Sequence, residues 1–260
     1  MTQRQPVTAR VYDCWLGGTN NFPEDRAHAE RMMTFFPDIR EISLANRAFL
    51  GRAVRALAEQ GVDQFLDLGS GLPNEGNVHE VAREVIPDAR IVYVDVDPVA
   101  AELGRAMLSG TDGVEYLRAD LRNPQAVLGS EEVARCLDLT RPVALLMVAM
   151  LQFVMPQDDP ARVVASYRDA TAPGSYLVVS HATDEYHPQQ MRDVADVYNS
   201  ATLPITMRNR EQIAGLLAGY ELLEPGLVEP VRWRPQKGDY DPFDGDAARY
   251  NMLAAVGRRS

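Results

Sequence analysis

The chain has 260 residues, 26 of them basic and 37 acidic, so its formal net charge is −11. A chain of this length can bury a sizeable core, and its negative charge repels phosphate backbones, which argues against general nucleic-acid binding. Two cysteines without pairing or metal-ligand spacing argue against a disulfide framework and a metal site, and no signal peptide or membrane-length apolar stretch is present, so we expect a cytoplasmic protein.

The N-terminal part of the chain, residues 1–45, has an unusual composition. Residues 9–26 read ARVYDCWLGGTNNFPEDR, in which a glycine pair stands among polar and aromatic side chains. Loops of this kind on a rigid scaffold often carry function, so the segment is predicted to form a lid over a ligand. The alternative is structural, because FPEDRAHAERMM is typical of a helix start with Pro23 in its first turn.

From residue 46 to residue 260, strand-like and helix-like segments alternate. NRAFLGRAVRALAEQG has helical spacing of its apolar residues and is followed by short apolar runs such as QFLDLG, ARIVYVDV, VEYLRAD, PVALLMVAML and SYLVVSHA. Helix-like segments separate these runs, which is typical of an α/β fold with a doubly wound, mostly parallel sheet. We therefore predict one domain over residues 1–260, with 1–45 as an N-terminal helical extension and 46–260 as the core.

Acidic residues follow three successive predicted strands. In a doubly wound sheet the ligand lies at the carboxyl ends of the strands. The first strand is followed by a glycine loop, the second ends in VDVDP and the third in RADLRNP; the residues concerned are Asp67, Gly69, Ser70, Gly71, Asp95, Asp97 and Asp120. The dinucleotide fingerprint requires a third glycine where Asn74 stands, and Asp67 and Glu75 flank the loop with negative charge. This pattern predicts a nucleoside ligand with a positive, phosphate-free appendage.

DLGSG, VDVDP and ADL, in this order, resemble motifs one to three of the class I S-adenosylmethionine-dependent methyltransferases. YDCWLGGTNNFPEDR, FLDLGSGLPNEGNVHEVA, IVYVDVDP, RPVALLMVAMLQFV and VRWRP together are similar to a bacterial S-adenosyl methyltransferase family formerly regarded as a domain of unknown function. The resemblance covers most of the chain. It implies a Rossmann-like sheet of seven strands with an antiparallel last strand, S-adenosyl-L-methionine as cofactor, and methyl transfer to an acceptor.

The resemblance also implies roles for individual residues. The glycine loop with Asp67 and Ser70 would surround the methionine part, Asp95 with Val96 and Asp97 would hold the ribose, and Asp120 with the backbone of Leu121 would hold the adenine. Backbone near Val148 and Ala149 would face the amino-acid part of the cofactor. Two positions depart from common patterns: Pro73 replaces a glycine of motif one, and Gln152 stands where the subgroup often has histidine.

The N-terminal segment and one later histidine complete the predicted site. The segment is expected to fold over the cofactor through Tyr12, Asp13, Gly17, Gly18, Asn20 and Arg26. If the acceptor is a hydroxyl, a general base would help, and His181 or Asp13 are the predicted candidates; for His181 a structural role is equally compatible with the sequence. Positioning of an activated methyl donor supplies much of the rate, so a base is not obligatory.

The acceptor is predicted to be a small molecule. The fourth strand lacks the Asn/Asp-Pro-Pro-aromatic signature of many nucleic-acid amino methylases, and the net charge also disfavours nucleic acid. Two other functions remain open on the sequence alone. A non-catalytic S-adenosylmethionine-binding protein would retain Asp95, and a nicotinamide oxidoreductase would use the same sheet. The missing third glycine argues against the oxidoreductase.

Overall fold

The computed structural model describes residues 6–72, 76–200, 204–239 and 241–260. Within these residues the strands are β1 Gln64–Leu68, β2 Arg90–Asp95, β3 Val114–Arg118, β4 Ala144–Val148, β5 Tyr176–Ala182, β6 Tyr220–Leu222 and β7 Met252–Arg259. The α-helices in the same part of the chain are α1 Thr8–Trp15, α2 Pro23–Phe35, α3 Ile39–Glu59, α4 Val78–Arg83, α5 Pro98–Leu108, α6 Pro124–Leu128, α7 Glu131–Cys136, α8 Pro160–Ala170, α9 Pro188–Ser200 and α10 Arg210–Leu216.

The strands form one seven-stranded sheet in the order β3-β2-β1-β4-β5-β7-β6. Strands β1 to β5 pair in parallel, whereas β7 lies between β5 and β6 and is antiparallel to both. The order reverses between β1 and β4, which is the switch point where doubly wound sheets bind ligands. The predicted Rossmann-like fold with a mostly parallel seven-stranded sheet and an antiparallel last strand is confirmed.

Both faces of the central strands are buried, which explains their nearly continuous apolar sequences. In β2, Ile91 and Tyr93 belong to the hydrophobic cluster on one face, and Val92 and Val94 belong to the cluster on the other. Successive side chains of a strand point to opposite faces, so a strand covered on both sides needs apolar residues at every position. This packing fixes the carboxyl ends of the strands, and with them the polar residues that follow.

A third hydrophobic cluster covers the carboxyl ends of the strands. Most of its members come from α1, α2, the first turns of α3, α9 and the start of β7, and the others from the segments between these elements. They include Val11, Trp15, Met32, Phe36, Tyr198 and Tyr250. Helix α3 runs unbroken through residue 45, the predicted boundary of the extension. A continuous helix therefore connects the N-terminal cover to the sheet. None of the helices in the described ranges is both long and apolar enough to cross a membrane.

Candidate active site

A cavity of about 450 Å³ lies at the carboxyl ends of the parallel strands, beside the switch point. It brings together most of the residues predicted from the sequence. Those that line it are Tyr12, Asp67, Gly69, Ser70, Gly71, Asp95, Val96, Asp120, Leu121, Val148 and Ala149. The predicted residues Pro73, Asn74 and Glu75 lie outside the part of the chain that the structure describes. The remaining predicted site residues, among them Asp97, Asp13 and His181, have other surroundings.

The loop after β1 brings backbone close to the cavity. Gly69 and Gly71 have φ of +86° and +66°, a left-handed conformation that favours glycine. A Cβ atom at Gly69 would lie 2.3 Å from Sδ of Met150, so a side chain there would displace Met150. The Gly69 amide donates to the Val94 carbonyl at 2.8 Å, and the Tyr116 hydroxyl donates to the Gly71 carbonyl at 2.6 Å. Residues 69–71 are thus held by β2 and β3.

Asp95 ends β2 and connects two parts of the site. Its Oδ2 accepts a hydrogen bond from the Gly71 amide at 2.8 Å, and its Oδ1 accepts one from the Asp97 amide at 2.9 Å. Burial raises the pKa of Asp95 above its ordinary value, although these two backbone donors oppose that effect. A buried carboxylate at this point is suited to accept hydrogen bonds from neighbouring hydroxyl groups of a ligand.

Asp67 lies at the base of the cavity with its side chain buried. Burial raises the pKa of Asp67 to about 7, the nearby negative charge of Asp95 adds to this increase, and the positive charge of Arg47 opposes it. Arg47 also lines the cavity and donates to the Gly76 carbonyl at 3.1 Å. The cavity therefore holds a titratable carboxyl group and a guanidinium cation near the glycine loop.

Asp120 and Arg122 stand at the rim of the cavity, after β3. The guanidinium of Arg122 binds both carboxylate oxygens of Asp120 at distances of 2.6–3.0 Å, and it also contacts Asp158. The hydrogen bonds from Arg122 lower the pKa of Asp120. Asp120 is therefore ionised at neutral pH and can accept a further hydrogen bond, for example from an amino group.

Tyr12 connects the N-terminal helix to the sheet through a chain of hydrogen bonds. Its hydroxyl donates to the Ser43 carbonyl at 3.1 Å and accepts from Nδ2 of Asn46 at 3.1 Å. Oδ1 of Asn46 accepts from Oγ of Ser180 at 2.6 Å, and Oγ of Ser180 accepts from the amide of Ala149 at 2.8 Å. Tyr12 and Asn46 thus join α1, α3 and the ends of β4 and β5 around the cavity.

Asp97 was predicted to hold the ribose, but it is not among the residues that line the cavity. Its carboxylate accepts from the Val99 amide at the start of α5 and forms a buried ion pair with Arg10 at 3.1 Å. Arg10 also contacts Asp25 at 2.9 Å, and Asp25 in turn accepts from the amides of Val7 and Phe22. Asp97 therefore caps a helix and anchors the N-terminal segment to the sheet.

Five residues of the N-terminal segment that were predicted to contact a ligand do not line the cavity: Asp13, Gly17, Gly18, Asn20 and Arg26. Asp13 is fully buried and accepts from the Asn20 amide at 3.0 Å and from Nδ2 of Asn21 at 2.8 Å. A Cβ atom at Gly18 would overlap the Asp13 carboxylate, at 2.0 Å. Arg26 is exposed and binds Asn21. These residues hold the turn between α1 and α2, and the geometry gives Asp13 no position from which to act as a base.

His181 also has a structural position, in contrast to the catalytic role predicted for it. The residue is completely buried and is not part of the cavity lining. Burial lowers the pKa of His181 to about 3, so the ring is neutral at physiological pH. Its Nδ1 lies 2.6 Å from the Ala182 carbonyl, and its Nε2 lies 2.8 Å from Nη1 of Arg208. Nδ1 therefore carries the proton, and Nε2 accepts from Arg208.

One half of the cavity, here called the apolar half, is formed by residues that were not predicted from the sequence. They are mainly apolar and belong to the third hydrophobic cluster; the larger ones are Trp15, Phe36, Phe153, Tyr198, Met207 and Tyr250. Asn46, Arg47 and Gln152 were also not predicted as binding residues. Asn46 and Arg47 lie on a helix whose apolar spacing alone predicted packing. No local signal distinguishes cavity-lining apolar residues from core residues.

The fold and the cavity together define a class of protein. The sheet is doubly wound, with β7 inserted antiparallel. A glycine loop after β1 and the carboxyl groups of Asp67, Asp95 and Asp120 line the cavity beside its switch point, where folds of the Rossmann type bind ligands. The sequence profile of the S-adenosyl methyltransferase family matches residues 1–260. The chain belongs to this family, and it is an S-adenosylmethionine-dependent methyltransferase.

Solved structures with the same fold agree with this assignment. A protein of Thermobifida fusca YX described as a candidate methyltransferase is 41% identical over 98% of this chain and 96% of its own, with a TM-score of 0.92. A DUF574 family protein from Streptomyces avermitilis MA-4680 is 36% identical over 98% of both chains, with a TM-score of 0.94.

More distant structures share only the fold. An O-methyltransferase family protein from Burkholderia thailandensis is 16% identical, with a TM-score of 0.52 over 87% of this chain and 62% of its own. No protein of curated function shows significant sequence similarity to this chain. The acceptor must therefore be inferred from the cavity itself.

Proposed function

We propose that the protein transfers the methyl group of S-adenosylmethionine to a hydroxyl or amino group of a small-molecule acceptor. The observation that carries this proposal is the composition of one cavity, which has carboxylates and a glycine loop at the strand ends and an apolar half beneath the helical cover. Such a cavity can hold a nucleoside and a second small molecule side by side, whereas a nucleic-acid substrate would meet a chain of net charge −11.

The polar half fits the cofactor group by group. We assign the ribose hydroxyls to Asp95 and the adenine amino group to Asp120, because both residues line the cavity, as do Leu121 and Val96. Asp67 and Arg47 offer opposite charges near the glycine loop. The methionine part is a zwitterion, so we assign its ammonium group to the side of Asp67 and its carboxylate to the side of Arg47.

The residues of this chain contribute binding and orientation to the reaction. When bound, S-adenosylmethionine supplies an activated methyl group on a sulfonium. The carboxylates of Asp67 and Asp95 stabilise positive charge in the cavity. Neither His181 nor Asp13 lines the cavity, so the proton that the acceptor group loses on methylation passes to water. Positioning of the acceptor in line with the methyl group supplies the rate.

The N-terminal segment is proposed to act as the cover of the site. Helix α1 lines the cavity through Tyr12 and Trp15, while the Arg10 ion pairs tie the helix to Asp97 beside the ribose-binding end of β2. A cover at this place excludes water from the reacting groups. We retain the hypothesis that it closes on ligand binding as a lid, with Arg10 as its attachment.

Methyl transfer can be tested with a mixture of candidate acceptors. The protein is incubated with S-adenosylmethionine labelled in the methyl group and with fractions of a cell metabolite extract. We expect label in at least one small organic molecule. With S-adenosylmethionine kept below its dissociation constant, the Asp95→Ala variant, which retains the apolar half but loses the ribose contact, should transfer roughly ten- to a hundredfold less label. Label found only in nucleic acid or protein, or label transfer equal in the variant, would contradict the proposal.

A further inference from the structure

The apolar half of the cavity contains one polar side chain that stands out. Gln152 lies in the short 3-10 turn Leu151–Phe153 after β4, and it lines the cavity with only 7% of its surface exposed. Its neighbours in the lining include Phe153, Ile205 and Met207, all of which belong to the apolar cluster. Phe153 is its neighbour in the chain, and Ile205 and Met207 flank Thr206, whose amide donates to the Gln152 carbonyl, so the side-chain amide of Gln152 belongs to a mainly apolar part of the lining.

The amide of Gln152 has unused hydrogen-bonding capacity. Its Oε1 atom is buried and has no hydrogen-bond partner, and within the described residues no side-chain hydrogen bond of Gln152 is formed. An amide offers two donors and one acceptor. Whether the oxygen or the nitrogen of the amide occupies the buried position, the atom there has no hydrogen-bond partner. Buried polar groups normally have partners, so an exception in a cavity indicates a group that a ligand satisfies.

The backbone around Gln152 is held on three sides. Arg208 donates to the Leu151 carbonyl at 2.9 Å and to the Val154 carbonyl at 2.8 Å, and the Thr206 amide donates to the Gln152 carbonyl at 2.8 Å. Nη1 of Arg208 also donates to the neutral ring of His181. The buried His181–Arg208 pair therefore fixes the backbone of the turn. This holds the Cα atom of Gln152 in one position, as a preorganised binding group requires.

The charges of the cavity are confined to its polar half. Among the described lining residues, the charged side chains are Arg47, Asp67, Asp95, Asp120 and Arg122, and none of them belongs to the apolar cluster. A carboxylate or phosphate bound in the apolar half would lose its hydration without gaining a counterion there. A neutral, mainly apolar molecule avoids this cost and buries its surface favourably.

We propose that the apolar half binds the methyl acceptor, a mainly apolar neutral molecule with one hydrogen-bonding group, and that the amide of Gln152 binds and orients this group. The inference rests on the proposed function and specifies its substrate class. An amide neither carries charge nor accepts a proton at physiological pH, so Gln152 sets the position and identity of the acceptor group. Gln152 is therefore a specificity-determining residue.

The test uses the full-length protein saturated with S-adenosylhomocysteine, the demethylated product of the cofactor. A panel of one- to three-ring molecules is prepared in matched forms, such as naphthalene, 2-naphthol, 2-naphthylamine and 2-naphthoate. Binding is measured by ligand-detected nuclear magnetic resonance and calorimetry for the wild type and for Gln152→Leu and Gln152→Met. Gln125→Leu serves as a matched control, because Gln125 is exposed and lies away from the cavity lining.

We expect the wild type and the control to prefer the hydroxyl or amino form over the hydrocarbon by roughly three- to tenfold, the worth of one neutral hydrogen bond. Both Gln152 variants should lose this preference while binding the hydrocarbon at least as well. Either variant suffices if the other does not fold. An unchanged preference in a folded variant, tightest binding of the carboxylate, or no binding by any neutral member would overturn the proposal. Failure of S-adenosylhomocysteine itself to bind would instead contradict the assignment of the cofactor site.

Discussion

Asp95 is the residue on which the placement of the ribose depends. Its carboxylate already holds the Gly71 and Asp97 amides, so it presents a fixed acceptor at the end of β2. Asp95→Ala should weaken S-adenosylmethionine binding by about 1.5–3 kcal/mol, the cost of losing a charged acceptor, or roughly ten- to a hundredfold. Calorimetry measures this change.

The control for Asp95→Ala is Asp88→Ala, since Asp88 is exposed in the loop before β2 and does not line the cavity. Thermal melts of both variants show whether the loss of the two backbone contacts unfolds the loop. Equal affinity in Asp95→Ala and in the wild type would show that the ribose lies elsewhere.

Asp67 gives the site a dependence on pH. Burial raises the pKa of this carboxyl to about 7 in the free protein, so the group is largely protonated below pH 7. A cationic ligand favours the ionised form, and binding must then release the proton. Cofactor affinity is therefore expected to rise between pH 6 and pH 8, by up to about tenfold per pH unit on the acidic side.

This pH dependence is measured by calorimetry with S-adenosylhomocysteine, which keeps the ammonium group. Asp67→Asn is the comparison, because an amide at the same place does not titrate in this range. The variant should bind more weakly at pH 8 and show a smaller increase with pH. If wild type and variant have the same slope, Asp67 does not face a positive group of the ligand.

At the scale of elements, the attachment of α1 decides whether the N-terminal segment is a lid. Arg10 is buried between Asp25 and Asp97, and removal of one member of a buried ion pair leaves uncompensated charge. Arg10→Gln is expected to destabilise the closed position of the segment by about 3 kcal/mol. The amides of residues 12–22 should then exchange with solvent up to about a hundredfold faster than in the wild type.

Hydrogen exchange with and without ligand completes this test. In the wild type we expect the same amides to gain protection when S-adenosylhomocysteine is added. The control is Arg31→Gln, because Arg31 is exposed on α2, and it should behave like the wild type. Equal protection in the presence and absence of ligand would show that α1 is a fixed structural element.

Deletion of residues 1–22 should weaken cofactor binding and abolish transfer while the sheet still melts cooperatively.

At the scale of the whole molecule, the charge distribution selects among nucleoside ligands. Asp67, Asp95 and Asp120 line the polar half and outnumber its basic residues, Arg47 and Arg122, and the chain as a whole carries a net charge of −11. A pyrophosphate would meet negative potential there, whereas a sulfonium and an ammonium group would be attracted. We expect S-adenosylmethionine to bind more tightly than NAD or NADP, with the difference decreasing at high salt. Calorimetry that ranks a pyrophosphate ligand first would contradict this charge assignment.

Much of the fold could be predicted because its signals are local. Apolar runs such as that of β4 require burial on both faces, and the helical spacing of α3 requires one buried stripe. The order of these elements then restricts the topology through the right-handed crossover rule. The antiparallel last strand followed from the family resemblance, but its place between β5 and β6 was not predicted, because its pairing partners are set by contacts distant in the sequence.

The site was predicted unevenly for the same reason. Asp67, Asp95 and Asp120 lie within two residues of the carboxyl ends of β1, β2 and β3. Because parallel strands bring their carboxyl ends to one edge of the sheet, strand order alone gathers these residues. Asp97 is only two residues beyond Asp95, yet its contact with Arg10 across 87 positions of sequence turns it away from ligand binding. Asp13 and His181 have the chemistry of a base, but burial and hydrogen bonds give both a structural role.

The sequence by itself determined the sheet, the glycine loop and the acidic strand ends, because each depends on neighbours within a few residues or on the alternation of elements. Only the tertiary structure decided which polar side chains line the cavity, that Arg10 ties the N-terminal helix to Asp97, and that Oε1 of Gln152 is buried without a hydrogen-bond partner. The physical reason is that exposure and pairing are properties of the packed chain: a carboxylate, an imidazole or an amide acquires its role from partners that folding brings from distant positions.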